Sequence, residues 1–335
     1  MSIPTHNRRE MLSACLDSVL EQEFPELEVF VSDNASTDGT PELVAAHDDP
    51  RIRYERLPQD IGLWRNLTRC LHLGTAPYVT VLPDDDLMLP GNLGPQVSFL
   101  NEHPRVGMVH SAFDLIDERG AILGKDVNWL QGPVAAIEPG AVYVEKMLRS
   151  RNRTCLPTVV MRRSALGGLA FDERDGGPAD AGLFMRIALR WDVGYVDRPL
   201  AVCRVHPKAQ TASLTGASVE GQEYRPTLAA IRDMRRTKER FLDEHGRELS
   251  IRGAPAPRRW ERRAAVAIVA DTALKDGSAA IARSLLAEAV VHDPGILLTP
   301  RCLALLVAML GGVRGMNLYR RAGHRVKRLL PRPSS

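Results

Sequence analysis

The sequence predicts an α/β fold, a mostly parallel sheet with helices on both faces, followed by a helical C-terminal region. Three observations predict it. Over the first 112 residues, short apolar runs of strand type alternate with stretches whose apolar residues recur at helical spacing, the order that sets parallel strands beneath crossover helices. Tyr78 to Leu82 carries no charge, as a strand buried on both faces reads, and it leads directly to Asp84, Asp85 and Asp86. From about Tyr224 the pattern turns helical to the end.

At 335 residues the chain can bury a full core, and 44% apolar with 25% charged residues is an ordinary soluble composition. The five cysteines, at 15, 70, 155, 203 and 302, are odd in number and never spaced Cys-x-x-Cys. That pattern excludes a disulfide framework and a zinc ribbon, and predicts a reducing, cytoplasmic setting. No secretory signal pattern opens the sequence, and no stretch of about 18 apolar residues offers a membrane span. Residues 221–335 hold 22 Lys and Arg against 11 Asp and Glu, while the first 220 hold 22 against 30. The front is therefore net −8 and the back +11, the reverse of a nucleic-acid enzyme with a basic field around its site, so no nucleic-acid partner is expected.

In order, Ile3 to Arg8 is a short apolar-to-polar opening, and a buried first strand is expected before Pro4, so that strand is either short or only partly included. A helix follows, with Asn7 and Glu10 as its capping pair and Met11, Leu12, Cys15, Leu16, Val19 and Leu20 on one face. Leu27 to Val31 is the next strand, and it runs into Ser32 to Pro41, a turn-rich segment with Thr40 and Pro41 suited to start a helix. Asp33, just past a strand end, either accepts hydrogen bonds from a ribose or base edge or merely closes a turn with Asp38. Arg51 to Leu57 reads as a third strand, and Leu63, Leu67, Cys70 and Leu71 as the inward face of a third helix. Arg65 and Asn66 stand on its first turn, where the helix dipole meets anions, or where an Arg is simply solvated. After the acids come a helix from about Gly91 to Glu102 and a strand from Val106 to Ala112. No Gly-x-Gly-x-x-Gly and no Gly-x-x-x-x-Gly-Lys-Ser/Thr occurs, which excludes a dinucleotide oxidoreductase and a P-loop ATPase.

Asp84 to Asp86 lies where a strand leaves its sheet, the side on which α/β folds gather ligands. Adjacent carboxylates repel, so a hard divalent ion sharing substrate phosphates would suit them; the plainer reading is a solvated acidic turn.

With these residues in view, the chain resembles the family 2 glycosyltransferases of the GT-A (Rossmann-like) fold. The resemblance rests on Pro4-Thr5-His6-Asn7-Arg8, Asp33 to Thr40, Gly62 to Asn66, and Asp84 to Asp86 followed by Leu89-Pro90, in the family's order and spacing over roughly residues 2–210. It implies a base and ribose pocket lined by Pro4, His6, Asp33 and Arg65, with Thr5, Asn7 and Asn66 beside them, and Asp84 and Asp85 holding ribose and metal. The first acid of the usual Asp-x-Asp falls at Pro83, so Asp85 is the preferred ligand for Mg²⁺ or Mn²⁺, with Asp86 as its rival.

Further on, Thr158 to Met161, Val193 to Val196 and Leu200 to Val205 read as strands, and Ala179 to Leu189 as a helix with Asp180 in its first turn. Taken alone, Asp180 is an N-terminal helix acid; the resemblance makes it the catalytic base, with Asp172, Glu173 and Asp175 as rivals on the preceding loop. Ala181 and Gly182 are smaller than the family's usual residues, which bears on the acceptor pocket's shape. His206, structural by default, is implied to close over the diphosphate or metal.

In the last third, Arg252 to Arg263 reads as a linker. From Arg314 onward seven Lys and Arg with no acid, interspersed with leucines, read either as a peripheral membrane anchor or as a basic helical cap. The expected organisation is a catalytic domain at 1–215 and a helical, basic region at 220–335. The expected activity is metal-assisted, inverting transfer of a sugar from a UDP- or dTDP-sugar to a saccharide, lipid-linked or small-molecule acceptor hydroxyl. A catalytically silent nucleotide-sugar-binding scaffold and a nucleotidyltransferase are the alternatives.

Overall fold

The structure, a computed structural model, describes residues 1–128, 136–149, 153–206 and 228–249, with short stretches between 286 and 306. The expected linker at 252–263 and the basic segment from Arg314 lie outside the described residues.

The first strand, β1 (Ser2–Thr5), is four residues long, contains Pro4 and is buried throughout. Ser2 exchanges backbone hydrogen bonds with Thr80 and Leu82, at 2.9 and 3.0 Å. Pro4, whose nitrogen faces the same side two residues on, falls where that pairing has ended, so its missing N–H costs nothing. Helix α1 (Arg9–Leu20) buries Leu12, Cys15, Leu16 and Val19, the face that the periodicity predicts. Asn7 does not cap it. Its backbone sits at φ 53° and its side-chain oxygen accepts from the Thr37 N–H at 2.8 Å, so it fastens the β1 end to the next loop instead.

β2 (Val29–Asp33), α2 (Thr40–Ala46) and β3 (Ile52–Arg56) complete a three-stranded parallel sheet in the order β1-β2-β3. α3 (Leu63–His72) then buries Leu67, Cys70 and Leu71. The chain next enters a second sheet through β4 (Tyr78–Val79), and two residues later Val81 bridges back to Ser2. Tyr78 to Leu82 thus touches both sheets before delivering the three acids.

The centre of the second sheet is one long parallel pair, β6 (Val106–Ile116) and β10 (Asp192–Arg204). The two strands expected at 193–196 and 200–205 are a single strand whose register slips around Pro199. Flanking partners run antiparallel. β9 (Val160–Arg162) lies between β4 and β6, and β7 (Ile122–Val127) folds back on β6 through a turn closed by Asp117 N–H to Ala121 O at 2.9 Å. β5 (Leu87–Met88) and β8 (Ile137–Glu138) edge β10. The parallel order therefore holds for the first sheet and the central pair, while the flanking strands run antiparallel, β6 and β7 as a hairpin and the others by pairing across long stretches of chain.

Helices cover both faces. α1 and α4 (Leu93–Glu102) pack one cluster around Ile3, Leu16, Val31, Leu82 and Val109. α3, α5 (Gly140–Arg149), the one-turn α6 (Arg163–Leu166) and α7 (Ala179–Ala188) pack another around Leu71, Met108, Tyr143, Phe184 and Ile187. The last long helix, α8 (Leu228–His245), sends Met234 and Phe241 into that second cluster. Burying a side chain such as Phe241 contributes about 1.5–3 kcal/mol, so α8 is fastened to the sheet-bearing part of the chain. Among the described residues no helix is long and apolar enough to cross a membrane.

Candidate functional site

The three acids occupy a tight turn closed by Asp86 N–H to Pro83 O at 3.1 Å, and none is more than 8% exposed. Each has its own partners. Thr5 Oγ1 at the end of β1 donates to Asp84 Oδ2 at 2.7 Å. One guanidinium nitrogen of Arg8 reaches Asp84 Oδ1 at 3.1 Å and Asp85 Oδ2 at 3.0 Å. His206 Nε2 lies 2.9 Å from the same Asp85 oxygen. Asp86 accepts the backbone N–H of Arg204 at 2.8 Å, while Arg204 Nε donates to the Asp85 carbonyl at 3.0 Å.

This crowding divides the acids electrostatically. Burial, and next to it the charge of Asp85, raises Asp84 to about 6. Burial and the same neighbour push Asp86 well above the usual carboxylate range. Burial also opposes ionisation of Asp85, but the His206 hydrogen bond and the Arg8 charge outweigh it, and its pKa falls. The corner holds one well-supported carboxylate between two that resist ionisation.

Among the described residues no group of three or more His, Cys, Asp and Glu side chains forms a ready metal cage. The donor set nevertheless suits a hard cation that takes one or two protein ligands and completes its shell from phosphate oxygens and water. Asp85 and His206 are side by side, and the buried charge around them is under-compensated. Of the two predicted carboxylate ligands, Asp85 is engaged by Arg8 and His206 and Asp86 by the Arg204 backbone.

The predicted nucleotide-side residues gather at the adjoining strand ends, with differing freedom. Pro4 lies within β1, paired with Ser32. His6 is exposed, its Nδ1 2.7 Å from the Asn34 carbonyl, and Asn7 stands next to it. Asp33 is fully buried; Tyr54 donates to it at 2.5 Å and the Ser36 N–H at 2.8 Å. Asn66 points inward and exchanges hydrogen bonds with Ser32, at 2.6 and 3.0 Å, which locks α3 to β2. Arg65 is exposed and pairs with Glu173 at 2.8 Å, across to the loop before α7.

Asp180 stands in the first turn of α7, half-buried, its Oδ1 accepting the Ala181 N–H at 2.7 Å. Its relation to the acid corner is marked by Cys155. That thiol lies 3.1 Å from Cys203 Sγ, and after this contact and burial its pKa responds to the charges of Asp86, Asp180 and Asp85, which leave it raised. The charges of the corner and of Asp180 thus act on the same thiol, that of half-buried Cys155. The rival acids are engaged elsewhere: Asp172 with Arg174, Glu173 with Arg65, Asp175 with Arg186 and Arg240.

Sequence reasoning assigned no role to Arg8, Arg204, Tyr54 or the Cys155–Cys203 pair. Arg8 had a signal, since it closes the same short motif as Thr5. The others depend on pairings between distant strands and had none.

Residues 2–129 match the model of the family described as Glycosyl transferase family 2. Among curated relatives, the GalNAc(5)-diNAcBac-PP-undecaprenol beta-1,3-glucosyltransferase of Campylobacter jejuni is 34% identical over 130 residues, 38% of this chain and 40% of its own length. The abequosyltransferase of Salmonella typhimurium is 24% identical over 221 residues, 60% of this chain and 65% of its own length. The chain spans about half the length of the curated relatives it matches. Among solved structures, S. aureus TarS in complex with UDP-GlcNAc aligns with a TM-score of 0.54 at 15% identity, covering 97% of this chain and 90% of that one, a likeness of fold.

Proposed function

We propose, from the match of residues 2–129 to the model of glycosyltransferase family 2, that the chain moves a sugar from a UDP- or dTDP-sugar to an acceptor hydroxyl with inversion. The observation that carries this reading is the acid corner itself, where Arg8 and His206 meet on one oxygen of Asp85 at the exit of the Tyr78–Leu82 segment.

In this reading Asp33 and the β1 end hold the nucleoside, while Thr5 and Arg8 keep Asp84 and Asp85 oriented. Asp85 and His206 hold a divalent cation, which supplies charge neutralisation for the departing diphosphate. Asp180 takes the proton from the acceptor hydroxyl as its oxygen attacks. The acceptor is a lipid-linked saccharide, as the name of the Campylobacter relative states for that enzyme. Peripheral contact with a membrane through the basic C-terminus belongs to the same proposal.

The test is a screen of UDP- and dTDP-sugars with Mg²⁺ or Mn²⁺, reading release of nucleoside diphosphate and transfer to lipid-diphosphate saccharides. Wild type turns over at least one donor. Asp180→Asn binds that donor with unchanged affinity yet transfers no sugar. Equal transfer by Asp180→Asn would remove this residue from the chemistry.

A further inference from the structure

The loop before α7 is organised around Asp175, which is 1% exposed. Three side chains converge on it from two helices. Arg240 of α8 pairs with its carboxylate, Arg186 of α7 approaches the same group at 3.5 Å, and Thr237 Oγ1 of α8 donates to its carbonyl at 3.2 Å. Arg240 also reaches Asp172 at 3.7 Å, so one guanidinium spans both ends of the short turn at Glu173–Asp175.

The opposite wall of this clamp is the first turn of α7. A Cβ on Gly182 would lie 2.3 Å from Asp175 Oδ2, so the carboxylate rests directly against the backbone two residues after Asp180. The small residue at 182 has a packing cause: a Cβ there would force the Asp175 carboxylate out of its place. Gly176 turns the chain at φ +62° with Asp233 of α8 filling the space next to it, and Ala179 N–H donates to Gly176 O at 3.2 Å. The connection from 175 to 180 is therefore anchored at its start by α8 and at its end by α7.

We infer that Asp175, clamped by Arg240 and Arg186, is a positioning residue that fixes where Asp180 stands, which makes α8 part of the working transferase. This rests on the reading of Asp180 as the base. A base carboxylate must sit within hydrogen-bond reach of the attacking oxygen, and a displacement of about 1 Å can cost about 10²-fold in rate.

The experiment uses the full chain and the UDP- or dTDP-sugar turned over fastest in the screen. UDP or dTDP binding by calorimetry counts competent sites, steady-state release of nucleoside diphosphate supplies kcat and KM, and hydrogen exchange reports the amides of residues 179–182. Arg240→Gln is expected to lower kcat per competent site about 10- to 100-fold with donor KM nearly unchanged. Arg240→Lys should recover part of the loss, and Thr237→Val, which removes one hydrogen bond, should give a smaller loss of the same kind. Exchange at 179–182 should quicken while β2 and β6 stay protected.

An unchanged kcat per competent site, or unchanged exchange at 179–182, overturns the inference. Full activity of Asp180→Asn overturns instead the assignment of the base, and the exchange result still judges the clamp.

Discussion

Two acidic clusters in this molecule are built in opposite ways. In the loop before α7 each acid has arginine at hand: Asp172 with Arg174 at 2.6 Å, Glu173 with Arg65 at 2.8 Å, Asp175 with Arg186 and Arg240. The Arg174 hydrogen bond holds Asp172 down at about 2. At the corner, three buried carboxylates share Arg8, His206 and the reach of Arg204, and two of them resist ionisation. Compensated acids make scaffold. Buried acids short of positive charge are kept at a cost that a cationic ligand can repay.

The sharpest way to break this contrast is Asp85→Ala. If the corner serves a cation and diphosphate, divalent-dependent release of nucleoside diphosphate should fall about 10²- to 10³-fold, the scale seen when one preorganised electrostatic group is removed from an enzyme's site. The same readout for Asp172→Asn should stay within a few-fold. Comparable losses in the two variants would erase the distinction.

The contrast also predicts opposite pH dependences, measured by urea unfolding in a chelator. Asp84 is raised to about 6 against a usual 3.8, so the folded state binds the extra proton and stability falls as pH rises from about 4 to about 6. Asp84→Asn should flatten that fall, by an amount on the order of 2 kcal/mol. An equally steep profile in the variant would mean the corner is not under-compensated.

Asp172 works the other way and more weakly. Its depressed pKa adds stability above about pH 4 that is lost as pH drops toward about 2. Because Arg174 is largely exposed, Asp172→Asn should cost under about 1 kcal/mol at pH 7 and nothing near pH 2. A cost that persists into acid would assign Asp172 a packing role instead.

Local chemistry was readable from the chain itself. The buried face of α1, the uncharged run at Tyr78 to Leu82 and the acids after it follow from periodicity and side-chain type. What escaped reading depends on distance along the chain. Asn66 sits in an anion-friendly first turn, yet it turns inward because Ser32, 34 residues earlier, offers it both a donor and an acceptor. Asn7 looked like a helix cap until Thr37 claimed its side chain. The reason Gly182 is small lies at Asp175 and Arg240, and no spacing rule connects a helix turn to a guanidinium 58 residues later. Strand breaks fared similarly: Pro199 suggests two strands, but β6 is long enough to carry β10 across the slip.

The five residues from Tyr78 to Leu82 belong to two sheets at once, through β9 on one side and Ser2 on the other. A segment stitched on both edges cannot follow one layer without straining the other. The turn that comes next therefore takes its position from both layers, and the distances of Thr5 and Arg8 from the carboxylates they touch are set where the two sheets are joined.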